Sequence, residues 1–184
     1  MVVMEKRRHV LGDEHPNTLM SMGSLASTYW NQGRWKEAEA LQVVVMEKFR
    51  HILEEEHSDT LTSMANLAAT YWNQGKWKEA EALQVMVMEK IRHTLGEEHP
   101  DTLTSMANLV ATYWNQGKWK KAEALEVVVM EKRIHILGKE HPDTLTSMEN
   151  LAATYRNQAQ WKETEALQES GYRKKKATIG RWLT

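Results

Sequence analysis

A 42-residue repeat constrains this chain more than any other feature. His15, His57, His99 and His141 stand 42 apart, and so do Tyr29, Tyr71, Tyr113 and Tyr155, and Trp35, Trp77, Trp119 and Trp161. The stretches His57–Glu98 and His99–Glu140 differ at only nine positions. Near-identical units of this length cannot each bury an apolar face alone, so they must lean on their neighbours. Function is therefore expected on a surface that stacking creates, not in one local motif.

The unit reads as a helical hairpin. At about 100° per residue, Leu61, Met64, Leu67, Ala68 and Tyr71 fall on one face of a first helix, helix A. Gly75 follows where a left-handed residue ends a helix, a conformation open to glycine because it lacks a Cβ. A second helix, helix B, starts at Trp77 and turns Ala80, Leu83, Val87, Met88, Ile91 and Leu95 inward, and Gly96 closes it. In neighbouring copies Pro16, Pro100 and Pro142 take the first helical position, followed by Asn17, Asp101 or Asp143. No alternating β-branched segments argue for a sheet.

The spacing Leu67-Ala68-x-x-Tyr71-x-x-x-Gly75-x-Trp77-x-x-Ala80 resembles the tetratricopeptide repeat. That repeat is usually about 34 residues. Here the added length lies in helix B and its exit, and the closing Leu-Gly-x-x-His-Pro-Asp-Thr is similar to the long variant of kinesin light chains. It also resembles the nearly identical repeat arrays of fungal nucleotide-binding receptor proteins. The resemblance implies an all-α, right-handed superhelical solenoid of antiparallel helix pairs. It further implies a concave wall, lined by helix A of each unit, that receives a peptide or partner protein.

The expected organisation is a single array over residues 1–168, with a partial unit at 1–14, units at 15–56, 57–98 and 99–140, and a partial unit at 141–168. A basic tail, 169–184, follows, with fraying of the last helix near 169–172. Beginning and ending inside a unit fits a piece of a longer array better than a capped protein. Glu54 and Ala159 replace closing glycines at a cost of roughly 1 kcal/mol each. Arg133 takes an inner-face position and is expected to snorkel to solvent.

Composition excludes several functions. The chain has no Cys, which removes disulfides and thiolate metal sites and suits a reducing, cytoplasmic setting. Its apolar runs, such as Val43–Met46, are far too short to span a bilayer, and Met1–Lys6 has no secretory-signal character. The net charge of −1 conceals five basic residues after Ser170. The first 170 residues hold nineteen basic and twenty-five acidic residues, a net −6 that argues against nucleic-acid binding. The His columns follow from copying and lack the i, i+4 pairing of a zinc helix. His99, before Pro100, reads as a helix cap. No cofactor or metal is expected, and nothing assembles a nucleophile, base and oxyanion donor, so the chain does not read as an enzyme.

Candidate binding residues lie on the helix-A face opposite the core. Thr62, Asn66, Ala69 and Asn73 recur as Thr104, Asn108, Ala111 and Asn115, and as Thr146, Asn150, Ala153 and Asn157. The first copy differs, with Met20, Ser24, Ser27 and Asn31. Asparagine both donates and accepts, so rows of it suit a peptide backbone. Asn73, Asn115 and Asn157 also sit where they could cap the helix end. Trp30, Trp72 and Trp114 flank the stripe and fit either packing between units or ligand contact, and Arg156 holds the fourth place in that column. Trp35, Trp77, Trp119 and Trp161 read as core. The stripe has no Lys or Arg, unlike the basic clamps that hold C-terminal carboxylates in some tetratricopeptide domains. The expected partner is a protein or peptide. The alternatives are a kinesin-light-chain-like cargo adaptor and end-to-end self-association.

Overall fold

A computed structural model describes residues 2–158. Among the described residues are eight helices: α1 (Val2–Leu11), α2 (Pro16–Asn31), α3 (Trp35–Ile52), α4 (Ser58–Asn73), α5 (Trp77–Leu95), α6 (Pro100–Asn115), α7 (Trp119–Leu137) and α8 (Pro142–Asn157). They divide into two compact units, one up to Thr94 and one from Leu95. The expectations for Ala159, Trp161 and the tail lie outside the described residues.

Every helix A begins by the same local chemistry, and α2, α4 and α6 also end alike. His15, His57, His99 and His141 hold extended backbone, and each Nδ1 accepts the N–H two residues on, at 3.1–3.2 Å. That occupies one of the helix's orphan donors. Proline fills the first turn of α2, α6 and α8. At the other end Gly75 adopts φ 75° and donates its N–H to Trp72 O at 3.0 Å. Only three residues then separate α4 from α5, so the two helices must run antiparallel.

In the first unit, α2 packs on α1 and α3, and α3 on α4. Leu19, Val45 and Phe49 form one core cluster with Met22, Ile52 and Leu53 around it. Leu61, Met64 and Val87 form a second, into which α3 sends Met46. Thus α3 serves its own helix A and the next one. In the second unit α7 lies against α6 and α8. Its core draws on Leu103, Met106 and Leu109 from α6, Ala122 and Val129 from α7, and Met148 and Leu151 from α8. The inward face expected for α4 is buried, with Tyr71 half-buried. On α5 the expectation fails at Leu95, which is 45% exposed at the last helical position.

Two further expectations are corrected. Trp35 and Trp77, which open their helices B, are 37% and 36% exposed instead of core, and Trp119 is half-buried. Arg133 does not escape to solvent. It stays half-buried, and Nη1 donates to Asp143 O at 3.2 Å and to Ser147 Oγ at 2.8 Å, which ties α7 to the first turn of α8.

Glu54 does adopt a left-handed backbone, at φ 70°, where Gly12, Gly96 and Gly138 occupy the matching position of the other copies. Glu54→Gly is therefore expected to raise stability by about 1 kcal/mol. A higher urea midpoint at unchanged slope would show it, and an unchanged or lower midpoint would refute it.

Candidate functional site

The helix-A face that turns away from the core is set by the same periodicity that buries the other side. On α6, Leu103, Met106, Leu109 and Val110 are buried while Thr104 and Asn108 are exposed. On α4, Thr62 and Asn66 are exposed, and on α8 so are Thr146 and Asn150. The side-chain amides of Asn66, Asn108 and Asn150 hydrogen-bond to no other described residue. Their donors and acceptors point into solvent. Thr104 and Thr146 donate to Pro100 O and Pro142 O at 2.9 and 3.0 Å, leaving each hydroxyl oxygen free to accept.

The lower row behaves differently. Asn73, Asn115 and Asn157 each donate Nδ2 to the carbonyl four residues back, on Ala69, Ala111 and Ala153, at 2.8–2.9 Å. Their amide hydrogens are thus partly committed to their own helices. The tryptophans split as well. Trp72 is 36% exposed, whereas Trp114 is half-buried and donates Nε1 to Thr154 Oγ1 at 2.8 Å, which joins α6 to α8. Arg156 is exposed at the end of α8.

Cations gather instead at the turns between helices A and B. Arg34 lies 4.2 Å from the centre of the Tyr29 ring, and Lys76 lies 5.2 Å from that of Tyr71. Lys76 also bonds both oxygens of Glu39 at 2.8 Å, and Gln74 Nε2 adds a third hydrogen bond. Partial burial pushes the Glu39 carboxyl up, but the bonds from Lys76 and Gln74 outweigh it and hold the group below the usual carboxylate range. In the second unit an open depression at this turn is lined by Gly117, Lys118, Trp119, Lys120, Lys121 and Gln158. The helix-A stripes carry none of these charges.

Sequence reasoning missed a row of buried hydroxyls. Thr60 and Thr102 are wholly buried and donate to the carbonyls of Glu54 and Gly96 at 2.9 and 2.7 Å. Thr144 does the same to Arg133 O at 3.3 Å. Each fastens a helix A to the chain just before it. Recurrence every 42 residues at a position flanking a core leucine was the available signal.

The tetratricopeptide-repeat family profile matches at residues 18–59, 60–101, 102–143 and 144–181. Among solved structures, the nearly identical TPR-like repeats of a Podosopora anserina protein described as a kinesin light chain superpose with a TM-score of 0.88 and 31% identity, covering 96% of this chain and 83% of that one. A single-residue variant of those repeats gives the same score and identity over 96% and 84% of the two chains. BtubC (BKLC) from P. vanneervenii shares the fold at a TM-score of 0.78 and 20% identity, over 89% and 65%. No curated protein sequence matches the chain. By profile and structure together, the chain belongs to the tetratricopeptide-repeat family as a kinesin-light-chain-like member, and so is a protein-interaction repeat scaffold.

Proposed function

We propose that the exposed face of the A helices holds an extended peptide or a segment of a partner protein, with Asn66, Asn108 and Asn150 as the principal contacts. The observation that carries this reading is the state of those amides. Three copies of a residue able to donate and accept stand exposed, without internal partners, each on a helix-A stripe that carries no Lys or Arg. A peptide backbone presents alternating carbonyls and N–H groups, and such amides can satisfy both. Thr62, Thr104 and Thr146 contribute oxygens beside them, and Trp72 offers a half-exposed ring of the kind that anchors interfaces.

The lower row contributes less. Asn73, Asn115 and Asn157 have only their amide oxygens and one hydrogen left, and Trp114 acts first in packing against α8. The setting we propose is a cytoplasmic scaffold, in which the chain serves as the recognition segment of a larger receptor. No helix among the described residues is long and apolar enough to cross a membrane.

Peptides selected on the native chain from a random display library supply the probe. At about 0.5–1 kcal/mol for each hydrogen bond, replacing Asn66, Asn108 and Asn150 together by alanine should weaken such a peptide roughly 10- to 150-fold. Unchanged affinity in a normally folded triple variant would place the contacts elsewhere.

A further inference from the structure

We propose that Glu126 is a proton-operated latch between α7 and α8, which seats α8 firmly when its carboxyl group carries a proton and loosens it when the group is ionised. The case begins with the repeat itself. Position 126 belongs to the column Gln42, Gln84, Glu126, Gln168, so the third copy places an acid where the three others place the isosteric amide. In the first unit Gln42 is 6% exposed, and its Oε1 accepts from the wholly buried Thr70 Oγ1 at 2.6 Å, joining α3 to α4. In the second unit Glu126 is 5% exposed and keeps that contact, with Oε2 at 2.5 Å from Thr154 Oγ1. The joint is kept in shape and altered in charge.

What the amide does without burying a charge, the acid does on the same terms only when it is protonated. Glu126 Oε1 is buried and has no hydrogen-bond partner among the described residues. The Thr154 oxygen accepts the Trp114 Nε1–H at 2.8 Å, so its single hydrogen is all it can offer the carboxyl group. One donor is far too little for a buried carboxylate.

Among the described residues, no neighbouring charge makes up the difference. The elements packed against α7 bring Asp101 and Tyr113 on α6, and Asp143, Glu149, Tyr155 and Arg156 on α8. On α7 itself, Lys132 is bonded to Glu97, Arg133 to Asp143 O and Ser147, and Glu123 to Gln158, while Lys121 lies over the Tyr113 ring. Lys120, Glu131 and His135 complete the titratable groups of that helix. Burial alone pushes the Glu126 carboxyl up, the Thr154 hydrogen bond offsets it in part, and the result is about 7.

The sign follows from linkage. The folded chain holds the proton more tightly than the unfolded chain, whose glutamate titrates near 4.5. Seating of α8 is therefore at full strength below that value and is lost as pH rises through about 7. A consequence that rests on the peptide-binding reading is that the latch governs the stripe carried by α8, including Asn150.

Hydrogen exchange on the full chain tests the latch without any ligand. After correction for intrinsic exchange, protection of the Leu151–Asn157 amides should fall about tenfold or more between about pH 5.5 and about pH 8.5, while α2 stays level. Glu126→Gln, which restores the amide of the other copies, should abolish the fall. Parallel profiles for the two proteins, or a level wild-type profile, overturn the proposal. If the variant does not fold, the side-chain carboxyl of Glu126 is titrated by carbon NMR in the wild-type chain. A midpoint near neutrality supports the latch, and an ordinary glutamate midpoint overturns it.

Discussion

Leu109→Ala is expected to lower the unfolding free energy by about 3–4 kcal/mol, a large share of what a domain of this size holds. Leu109 is 2% exposed, and Met106, Val110 and Tyr113 beside it on α6 are all buried too. Deleting most of the side chain removes its transfer free energy and leaves a cavity. A helix capped by His99 at one end and by Gly117 at the other cannot shift inward to close that cavity cheaply. Met20→Ala is the matching control, because Met20 is 57% exposed and its loss should cost under about 0.5 kcal/mol. Urea unfolding would measure both. The loss should appear in the midpoint at constant slope, and a shallower slope would mean that neighbouring hairpins had uncoupled. A cost below about 1 kcal/mol for Leu109 would show that the core is far more compliant than its burial implies.

The repeat made the hairpins legible because their punctuation is local. A histidine before proline, a glycine four residues after tyrosine, and an acid where glycine should stand each act within a few residues. Those readings stand in the His99 cap, in Gly75 at φ 75° and in Glu54 at φ 70°. The readings that failed depend on what lies opposite. Trp35 falls in an invariant column and so reads as core, yet recurrence shows only that the unit is copied, and the ring is 37% exposed at the start of α3. Arg133 is expected to snorkel to solvent because the carbonyl of Asp143 and the hydroxyl of Ser147 cannot be seen from its own helix. On the candidate face, Asn66 and Asn73 are the same residue type on one stripe. Place in the last turn already marks Asn73 as a possible cap, and the coordinates bond it to Ala69 O while the Asn66 amide has no partner among the described residues.

Ala122→Leu should cost about 3 kcal/mol, whereas Ala152→Val, in the same unit, should change stability by less than about 1 kcal/mol. Both alanines are buried, at 0% and 2% exposure, so burial does not distinguish them. The other copies do. The column of Ala26, Ala68 and Ala152 admits Val110 in the third copy, where that valine remains 5% exposed within a regular helix. Helix A therefore has room for two more methyl groups at this height. The column of Ala38, Ala80 and Ala122 is continued by Thr164, which lies outside the described residues, and each of the three described alanines is 0% exposed. Its members sit in the first turn of helix B, where the Ala122 N–H is fixed to Lys118 O at 3.1 Å and the short turn from helix A leaves the backbone little freedom to retreat. A leucine there must take a strained rotamer or part the helices, and both are costly in a close-packed interior. Thermal unfolding of the two variants side by side would decide the matter. Equal costs would mean that the alanine in helix B reflects copying of the unit alone, and a large cost for Ala152→Val would mean that the space around Val110 is peculiar to its own copy.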